Sequence, residues 1–163
     1  MENAEVADLM ARFEPLVKHF NRYLTIGGFP ELALSDDDLY AQRMLREDVV
    51  DKVIKRDVLT LFKVRSPLLM EKLFLYLCMN STEIFSATTA AKELDNISPN
   101  TIESYVDALV KSNLIYMAYP IAVGSKSVLK GRPKIYIADA AIRNAVLMVD
   151  DLSLIHISEP TRP

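Results

Sequence analysis

Three groups of residues in this sequence could bind a ligand: a glycine pair, an Arg-Asp pair and a basic cluster. Gly27 and Gly28 open the segment GGFPE. A loop that cradles phosphate needs a lysine and then a hydroxyl residue directly after its glycines, whereas Phe29, Pro30 and Glu31 follow here. The segment therefore predicts a structural turn that uses glycine's conformational freedom, with Phe29 and Pro30 filling a hydrophobic pocket.

The Arg-Asp pair is Arg56 and Asp57. A guanidinium near an interface could stabilise developing phosphoryl charge on a nucleotide held by a neighbouring domain. The alternative is a solvated helix face with ion pairs at i,i+4 spacing, such as Asp51 with Lys55. We favour the alternative because charged residues occur throughout this segment.

Positive charge is concentrated in a glycine-containing stretch that could contact nucleic acid. Its basic residues are Lys126, Lys130, Arg132 and Lys134. A flexible loop of this kind is expected to contact phosphates. On a nearby helix, Asn100 and Ser104 are expected to face outward, where they could reach base edges. Glu103 and Asp107 on the same helix oppose that use, so DNA contact and a protein-interaction role have equal weight.

Other site chemistry is not predicted. Cys78, the single cysteine, lies in an apolar segment, which excludes a disulfide framework within the chain and a cysteine-built zinc site. His19 has no partner in its pattern, and no nucleophile triad, metal cluster or paired-carboxylate site emerges. The net charge of -3 argues against non-specific coating of nucleic acid. We therefore predict a non-enzymatic chain without its own cofactor.

Apolar periodicity predicts helices through the first half of the chain. The first covers residues 5–24, where Pro15 either breaks or kinks it or else starts a second helix at its first turn. A second begins at residues 36–38 and runs to about residue 62, with a buried stripe at Leu45, Val49, Val53, Ile54, Leu61 and Phe62. A third covers residues 68–79. No apolar run reaches the ~18 residues of a membrane helix and no secretory signal is present, so a cytoplasmic location without membrane contact is expected.

The second half predicts a different unit. Ser86 caps a short helix, Ser98 and Pro99 start another that ends near Asn113, and two β-rich runs joined by a basic loop follow. With the preceding helix, this order is that of a winged helix-turn-helix. The predicted fold class is therefore mainly α with a small β-hairpin, divided into a helical region at 1–67 and a winged helix-turn-helix at 68–149.

The segments YLTIGGFPE, RDV and PKIYIAD stand in the order and rough spacing of one family, which this chain resembles: the prokaryotic predicted AAA-type ATPases with a large C-terminal region of unknown function. The resemblance covers residues 23–139 and includes AA..L at 90–94 and TI..YV..LV at 101–110. The chain departs from that pattern after Asp139, where the family has Asp-x-Gly-Leu, and in the turn at 95–98, which lacks the family's glycine.

The resemblance implies that the chain is the middle part of a longer protein, between a P-loop ATPase domain and a nuclease-like fold. Residues 1–67 would then be a region like the ATPase lid. ATP and Mg²⁺ are implied for the longer protein and not for this chain. The expected function is a non-catalytic winged-helix part of an ATP-binding protein that is associated with nucleic acid. Its expected partners are DNA and its own missing ATPase domain. The alternative is a module for protein docking or self-association as a homo-oligomer.

The end of the chain is set apart from the fold. From Leu152 it reads LSLIHISEPTR, which resembles the translation of a sequencing adapter. We therefore predict that residues 150–163 form a non-native tail, starting at about residue 152, and expect no fold element or site there.

Overall fold

The computed structural model describes residues 2–62, 64–120 and 131–147, without the side chains of residues 2–10 and 49. This part of the chain is mainly helical with one antiparallel pair of strands, which confirms the predicted mainly α fold class with a small hairpin. Lys126, Lys130 and the predicted tail at 150–163 lie outside the described residues.

The described residues form eight α-helices, two π-helical segments and two strands. The α-helices are α1 (Glu2–Ile26), α2 (Pro30–Ala33), α3 (Asp38–Met44), α4 (Leu59–Leu61), α5 (Pro67–Met79), α6 (Ala87–Glu93), α7 (Pro99–Lys111) and α8 (Ala140–Leu147). Two π-helical segments, Leu45–Asp51 and Val53–Val58, join α3 to α4. The strands are β1 (Ile115–Ala118) and β2 (Lys134–Ile137).

Helix α1 is continuous where a break, a kink or the start of a second helix was predicted. It runs through Pro15, although proline removes one intrahelical hydrogen bond and usually kinks or ends a helix. It ends at Ile26, because Gly27 adopts a positive φ of 80° and its N–H donates to the carbonyl of Tyr23 at 2.8 Å. The apolar side chains of Phe13, Leu16, Val17, Phe20 and Tyr23 on α1 are exposed, whereas that of Ile26 is buried.

The predicted buried stripe of the second long helix is only partly correct. Leu45 and Ile54 are buried, but Leu61 is 71% exposed, and Val50 and Val58 are buried in addition. These buried positions are four or five residues apart. The π-helical segments explain the difference, because i→i+5 hydrogen bonds place more residues in a turn than the 3.6 of an α-helix.

The helix starts of the second half depend on local capping. The Ser66 hydroxyl accepts a hydrogen bond from the N–H of Leu69 at 3.2 Å, and Ser86 caps α6 in the same way. Ser98 precedes Pro99 as predicted, but its side chain makes no capping bond. Its carbonyl instead accepts the N–H of Ile102 at 3.2 Å. The left-handed Asn113, with φ of 57°, ends the helical region as expected.

Strand β2 lies between β1 and a third extended segment. In the antiparallel pair, Ile115 is opposite Ile137 and Ala118 is opposite Lys134. On the other edge of β2, Ile84 forms an isolated bridge with Lys134. The N–H of Phe85 also donates to the carbonyl of residue 133 at 2.8 Å. The segment between α5 and α6 is thereby fixed to the hairpin.

One buried cluster connects the two predicted regions. It joins Leu45 in the first π-helical segment to Phe74 in α5, Ile102 in α7, Ile135 in β2 and Ile142 in α8. Helix α8 packs against α1, α3, α5 and the segment Leu45–Asp51. The domain boundary near residue 67 stays a prediction, and the buried residues on its two sides share this one core.

We predict that Ile102→Asp or Leu109→Asp unfolds the helices around α7. Both side chains are fully buried, and an unpaired buried carboxylate costs several kcal/mol. Urea denaturation followed by circular dichroism measures the loss. Ser104→Asp, on the exposed face of the same helix, is the matched control and should change the unfolding free energy by less than about 0.5 kcal/mol. A parental transition for either core variant would contradict the assignment.

Candidate functional site

The predicted nucleic-acid residues do not all come together. Asn100 and Ser104 are exposed on α7, and Arg132 and Lys134 are exposed at the start of β2 and just before it. Arg132 lines a groove beside α7, but Asn100 and Ser104 are not among the residues that line it. The structure therefore associates Arg132 with a different set of α7 side chains from the pair predicted to reach base edges.

The groove lies between α7, the hairpin and the start of α6, and it has a volume of about 780 Å³. Its apolar surface comes from Phe85, Val106, Val110 and Met117, and the last three of these lie on α7 and β1. Phe85, Val110 and Met117 are half-buried and pack against the core, so the surface that they form is rigidly supported.

Charge in the groove is mixed. Glu103 and Asp107 line it one helical turn apart on α7, and Arg132 lines it from the hairpin. The carboxylate of Asp107 accepts a hydrogen bond from the ammonium of Lys111 at 2.6 Å. No described residue forms an ion pair or hydrogen bond with the carboxylate of Glu103. The α7 side of the groove therefore carries one uncompensated negative charge.

Two exposed tyrosines at the groove were not identified from the sequence. Tyr116 and Tyr119 are 52% and 57% exposed, and both line the groove. Tyrosine can stack on a nucleic-acid base or anchor a protein partner. Both tyrosines belong to the run IYMAY, whose pattern predicts a strand and no further role. In β1 the alternation of buried and exposed residues places Tyr116 on the exposed face.

The glycine pair forms a structural turn that two parts of the chain share. The N–H of Gly28 donates to Oδ2 of Asp139 at 3.0 Å, and the N–H of Ala141 donates to Oδ1 of the same carboxylate at 2.8 Å. A Cβ atom on Gly27 would lie 2.9 Å from Oδ1 of Asp139. Gly27 therefore has to be glycine both for its positive φ and for this close approach.

The rest of the GGFPE segment follows the structural interpretation with one correction. Phe29 is half-buried and packs against the core. Pro30 does not fill a pocket, because it is exposed and occupies the first position of α2. Proline is suited to that position, since its missing N–H would have no intrahelical acceptor there.

Arg56 and Asp57 lie on an exposed, charge-rich face of the segment Val53–Val58. Neither side chain forms a hydrogen bond or ion pair with another described residue. Close by, the ammonium of Lys55 is 3.1 Å from the carboxylate of Asp51, and this hydrogen bond raises the pKa of Lys55. The predicted i,i+4 pairing is thus present next to the Arg-Asp pair.

The remaining candidates for chemistry are structural. Cys78 is fully buried, and burial raises the pKa of its thiol from 9.0 to about 12, so the thiolate needed for reaction is suppressed. Among the described residues, no group of three or more His, Cys, Asp or Glu could hold a metal ion. In the same part of the chain, no helix has both the length and the apolar character needed to cross a bilayer.

Comparison with known proteins gives a family. The model described as "Domain of unknown function (DUF8612)" matches residues 17–153. The chain belongs to this family. It is also similar to "Uncharacterized protein MJ1544" of Methanocaldococcus jannaschii, with 26% identity over 128 residues. That match covers 76% of this chain and 28% of the archaeal protein. No solved structure matches the chain.

The match covers the features described above and leaves the activity open. The matched residues of this DUF8612 domain include Gly27, Asp139, all of α7 and the strands β1 and β2. The first half of α1 precedes the matched residues. Neither the family description nor the name of the archaeal protein states an activity.

We predict that Asp139→Ala destabilises the DUF8612 domain more than Asp37→Ala does. Asp37 is the matched control because its carboxylate caps only α3, through the N–H of Tyr40 at 2.9 Å. Losing one cap costs about 1 kcal/mol, and Asp139→Ala also leaves the N–H of Gly28 without its acceptor, so about 2 kcal/mol is expected. Urea denaturation measures both values. Equal losses would show that the contact with Gly28 contributes no stability.

Proposed function

We propose that this chain is a non-catalytic binding module that docks a polypeptide segment in the groove beside α7. The observation that carries the proposal is the combination of a supported apolar surface with two carboxylates on one wall. A partner segment with apolar side chains would bury them against Phe85 and Met117, and a basic side chain next to them would pair with Glu103. Tyr116 and Tyr119 would supply the aromatic anchors that are common in protein interfaces.

We also propose that the module is a winged helix within a longer protein. Support comes from the order of elements: α5, the extended segment at Ile84, α6, α7 and the β1–β2 hairpin follow the order of a helix-turn-helix with a wing. The archaeal relative offers independent support for a longer protein, since this chain matches only 28% of its length.

An ATP-binding context for that longer protein is part of the same proposal. It rests on the order of the YLTIGGFPE, RDV and PKIYIAD segments, which resembles the AAA-type ATPases. The contact of Asp139 with Gly28 supports treating the first and last of these segments as one structural feature. In this proposal ATP and Mg²⁺ bind a separate domain, because no described loop of this chain has the residues that cradle phosphate.

Association with nucleic acid is the second candidate. It is supported by Arg132, which lines the groove beside α7, and by Lys134, which is exposed at the start of β2. Phosphate contacts from such residues give affinity without sequence preference. The carboxylates of Glu103 and Asp107 on the facing wall oppose a polyanion at this place, which is why we rank polypeptide docking first.

We predict that peptides selected from a random display library on the immobilised chain contain apolar residues next to lysine or arginine. Their affinity should fall at least about tenfold in the double variant Glu103→Lys, Asp107→Lys, because losing a charge pair at an interface costs more than about 1.4 kcal/mol. Glu93→Lys, an exposed change on α6 outside the groove, is the matched control. Selected peptides that bind the double variant as tightly as the parent would contradict docking in this groove.

The same double variant distinguishes the nucleic-acid role. We predict that the parent does not bind duplex DNA more tightly than about 10⁻⁵ M at physiological salt, within the usual range of non-specific binding. The double variant should bind DNA more tightly, because it removes two negative charges and adds two positive ones. Fluorescence anisotropy across a salt series measures this. Tight parental binding whose salt slope falls by about one unit in Arg132→Ala would support the nucleic-acid role instead.

A further inference from the structure

Strand β1 has unpaired backbone groups along its outer edge. In the neighbouring strand β2, the N–H of Ile135 donates to the carbonyl of Glu83 at 3.3 Å, and its carbonyl accepts the N–H of Thr82 at 2.7 Å. Residues of an antiparallel pair alternate between bonded and non-bonded positions, so Met117, which is opposite Ile135, makes no ladder bond to β2. Its N–H and carbonyl point to the other edge of β1, where the described part of the chain supplies no further strand.

The groove beside α7 reaches this edge. Tyr116 and Met117 are consecutive in β1, so their side chains point to opposite faces, yet both line the groove. Tyr136 is opposite Tyr116 on the outer face of the hairpin and does not line the groove, which therefore reaches Tyr116 around the free edge. The accessible part of the edge begins at Met117, because Ile115 is fully buried whereas Tyr119 is 57% exposed.

We propose that the docked polypeptide segment is extended and adds a strand to β1 beside Met117. This inference rests on the docking function proposed above and specifies the conformation of the partner. One residue of the segment would exchange two backbone hydrogen bonds with Met117, which is the bonding that a free strand edge offers to an extended peptide. A helix bonds its own backbone groups and would leave those of Met117 covered without a partner, which is costly.

Strand addition directs every second side chain of the segment into the groove. Side chains on the same face as Met117 point towards α7, where Val106 and Val110 offer apolar contacts and Glu103 offers a negative charge. The intervening side chains lie on the outer face beside Tyr116. Selectivity therefore has a period of two residues along the segment, in contrast to the intervals of three and four residues of a helix in a groove.

The accessible edge is short, which limits what it can bind. Strand β1 has four residues, and Pro120 follows two positions after its end. Proline has no N–H to donate, and short edge strands and prolines are features that prevent open-ended pairing of strands. The edge therefore suits a single short segment, whose affinity depends on its side chains in the groove as well as on its backbone.

Backbone N-methylation of a bound peptide tests the proposal. The probe is a peptide selected from a random display library on the immobilised full chain and resynthesised with one N-methyl amide at each position in turn. Each change removes a hydrogen-bond donor and keeps every side chain. The affinity should fall at least about tenfold at the residue that faces Met117 and by less than about twofold at its two neighbours, whose N–H groups point away from β1. Losses at several successive positions would indicate a helical segment and overturn the proposal.

Hydrogen exchange of two neighbouring amides gives a second measurement that needs no protein variant. In the free chain, the N–H of Met117 should exchange at least about tenfold faster than that of Tyr116, because only Tyr116 lies at a bonded position of the ladder. Saturation with the unmethylated peptide should slow the exchange of Met117 at least about tenfold. An amide of Met117 that stays unprotected at saturation would overturn strand addition.

The outcomes distinguish this proposal from docking in the groove. If the double variant Glu103→Lys, Asp107→Lys weakens binding but the peptide leaves the N–H of Met117 unprotected, the groove is occupied and only strand addition is overturned. A peptide that protects Met117 and is insensitive to the double variant supports strand addition and contradicts the groove. Protection of Met117 that rises with protein concentration in the absence of peptide would assign the edge to a second copy of the chain. A library that yields no binding peptide would overturn both proposals.

Discussion

The carboxylate of Asp139 is the contact on which the arrangement of the described helices depends. It accepts backbone N–H groups from Gly28 and Ala141, which are separated by more than a hundred residues of chain. One side chain thereby caps α8 and fixes the turn after α1. Because Gly27 has no Cβ atom, Asp139 can approach the turn closely. Helix α8 is then held where it packs against α1, α3 and α5.

This anchoring divides α1 into two parts with different properties. At its C-terminal end, the carbonyls of Leu24 and Thr25 accept side-chain amide hydrogen bonds from Asn144 and Gln42, at 2.9 and 3.4 Å. These carbonyls would otherwise lack intrahelical partners. Between residues 11 and 20, every side chain of the helix is exposed, including Phe13, Leu16, Val17 and Phe20. The C-terminal end of α1 is therefore the part of this helix that α8 and α3 hold in place.

The features that sequence analysis predicted correctly are local ones. The cap at Ser86 and the left-handed Asn113 depend on residues within one turn, and α7 carries a regular apolar face at Ile102, Val106 and Leu109. The predictions were wrong where the backbone departs from α-helical geometry or where a contact joins residues far apart in the sequence. The π-helical segments alter the spacing of buried residues, so a stripe with α-helical spacing included the exposed Leu61. Helix α1 continues through Pro15, so of the outcomes predicted there the break is absent.

The candidate site was even less accessible from the sequence. Asp139 was noted only as the end of a motif, because its contact with Gly28 joins positions that no local pattern relates. Tyr116 and Tyr119 were assigned to a strand without a role. Asn100 and Ser104 were correctly placed on the exposed face of α7, yet the groove with Arg132 uses a neighbouring face of the same helix. Which face meets the hairpin is set by tertiary packing, and the helical period alone does not give it.

The balance of charge in the groove favours one class of partner over another, although the order of elements is compatible with both. Lys111 compensates Asp107, but no described residue compensates Glu103. A phosphate next to Glu103 would meet a like charge close to an apolar surface, where solvent screens charge less effectively. A basic side chain on a polypeptide would meet an opposite charge at the same position. Arg132 and Lys134 could still attract a polyanion to the hairpin, but the α7 wall would disfavour its entry into the groove. Since fold alone does not determine function, the sign of the charge at Glu103 is the strongest local argument for a polypeptide partner.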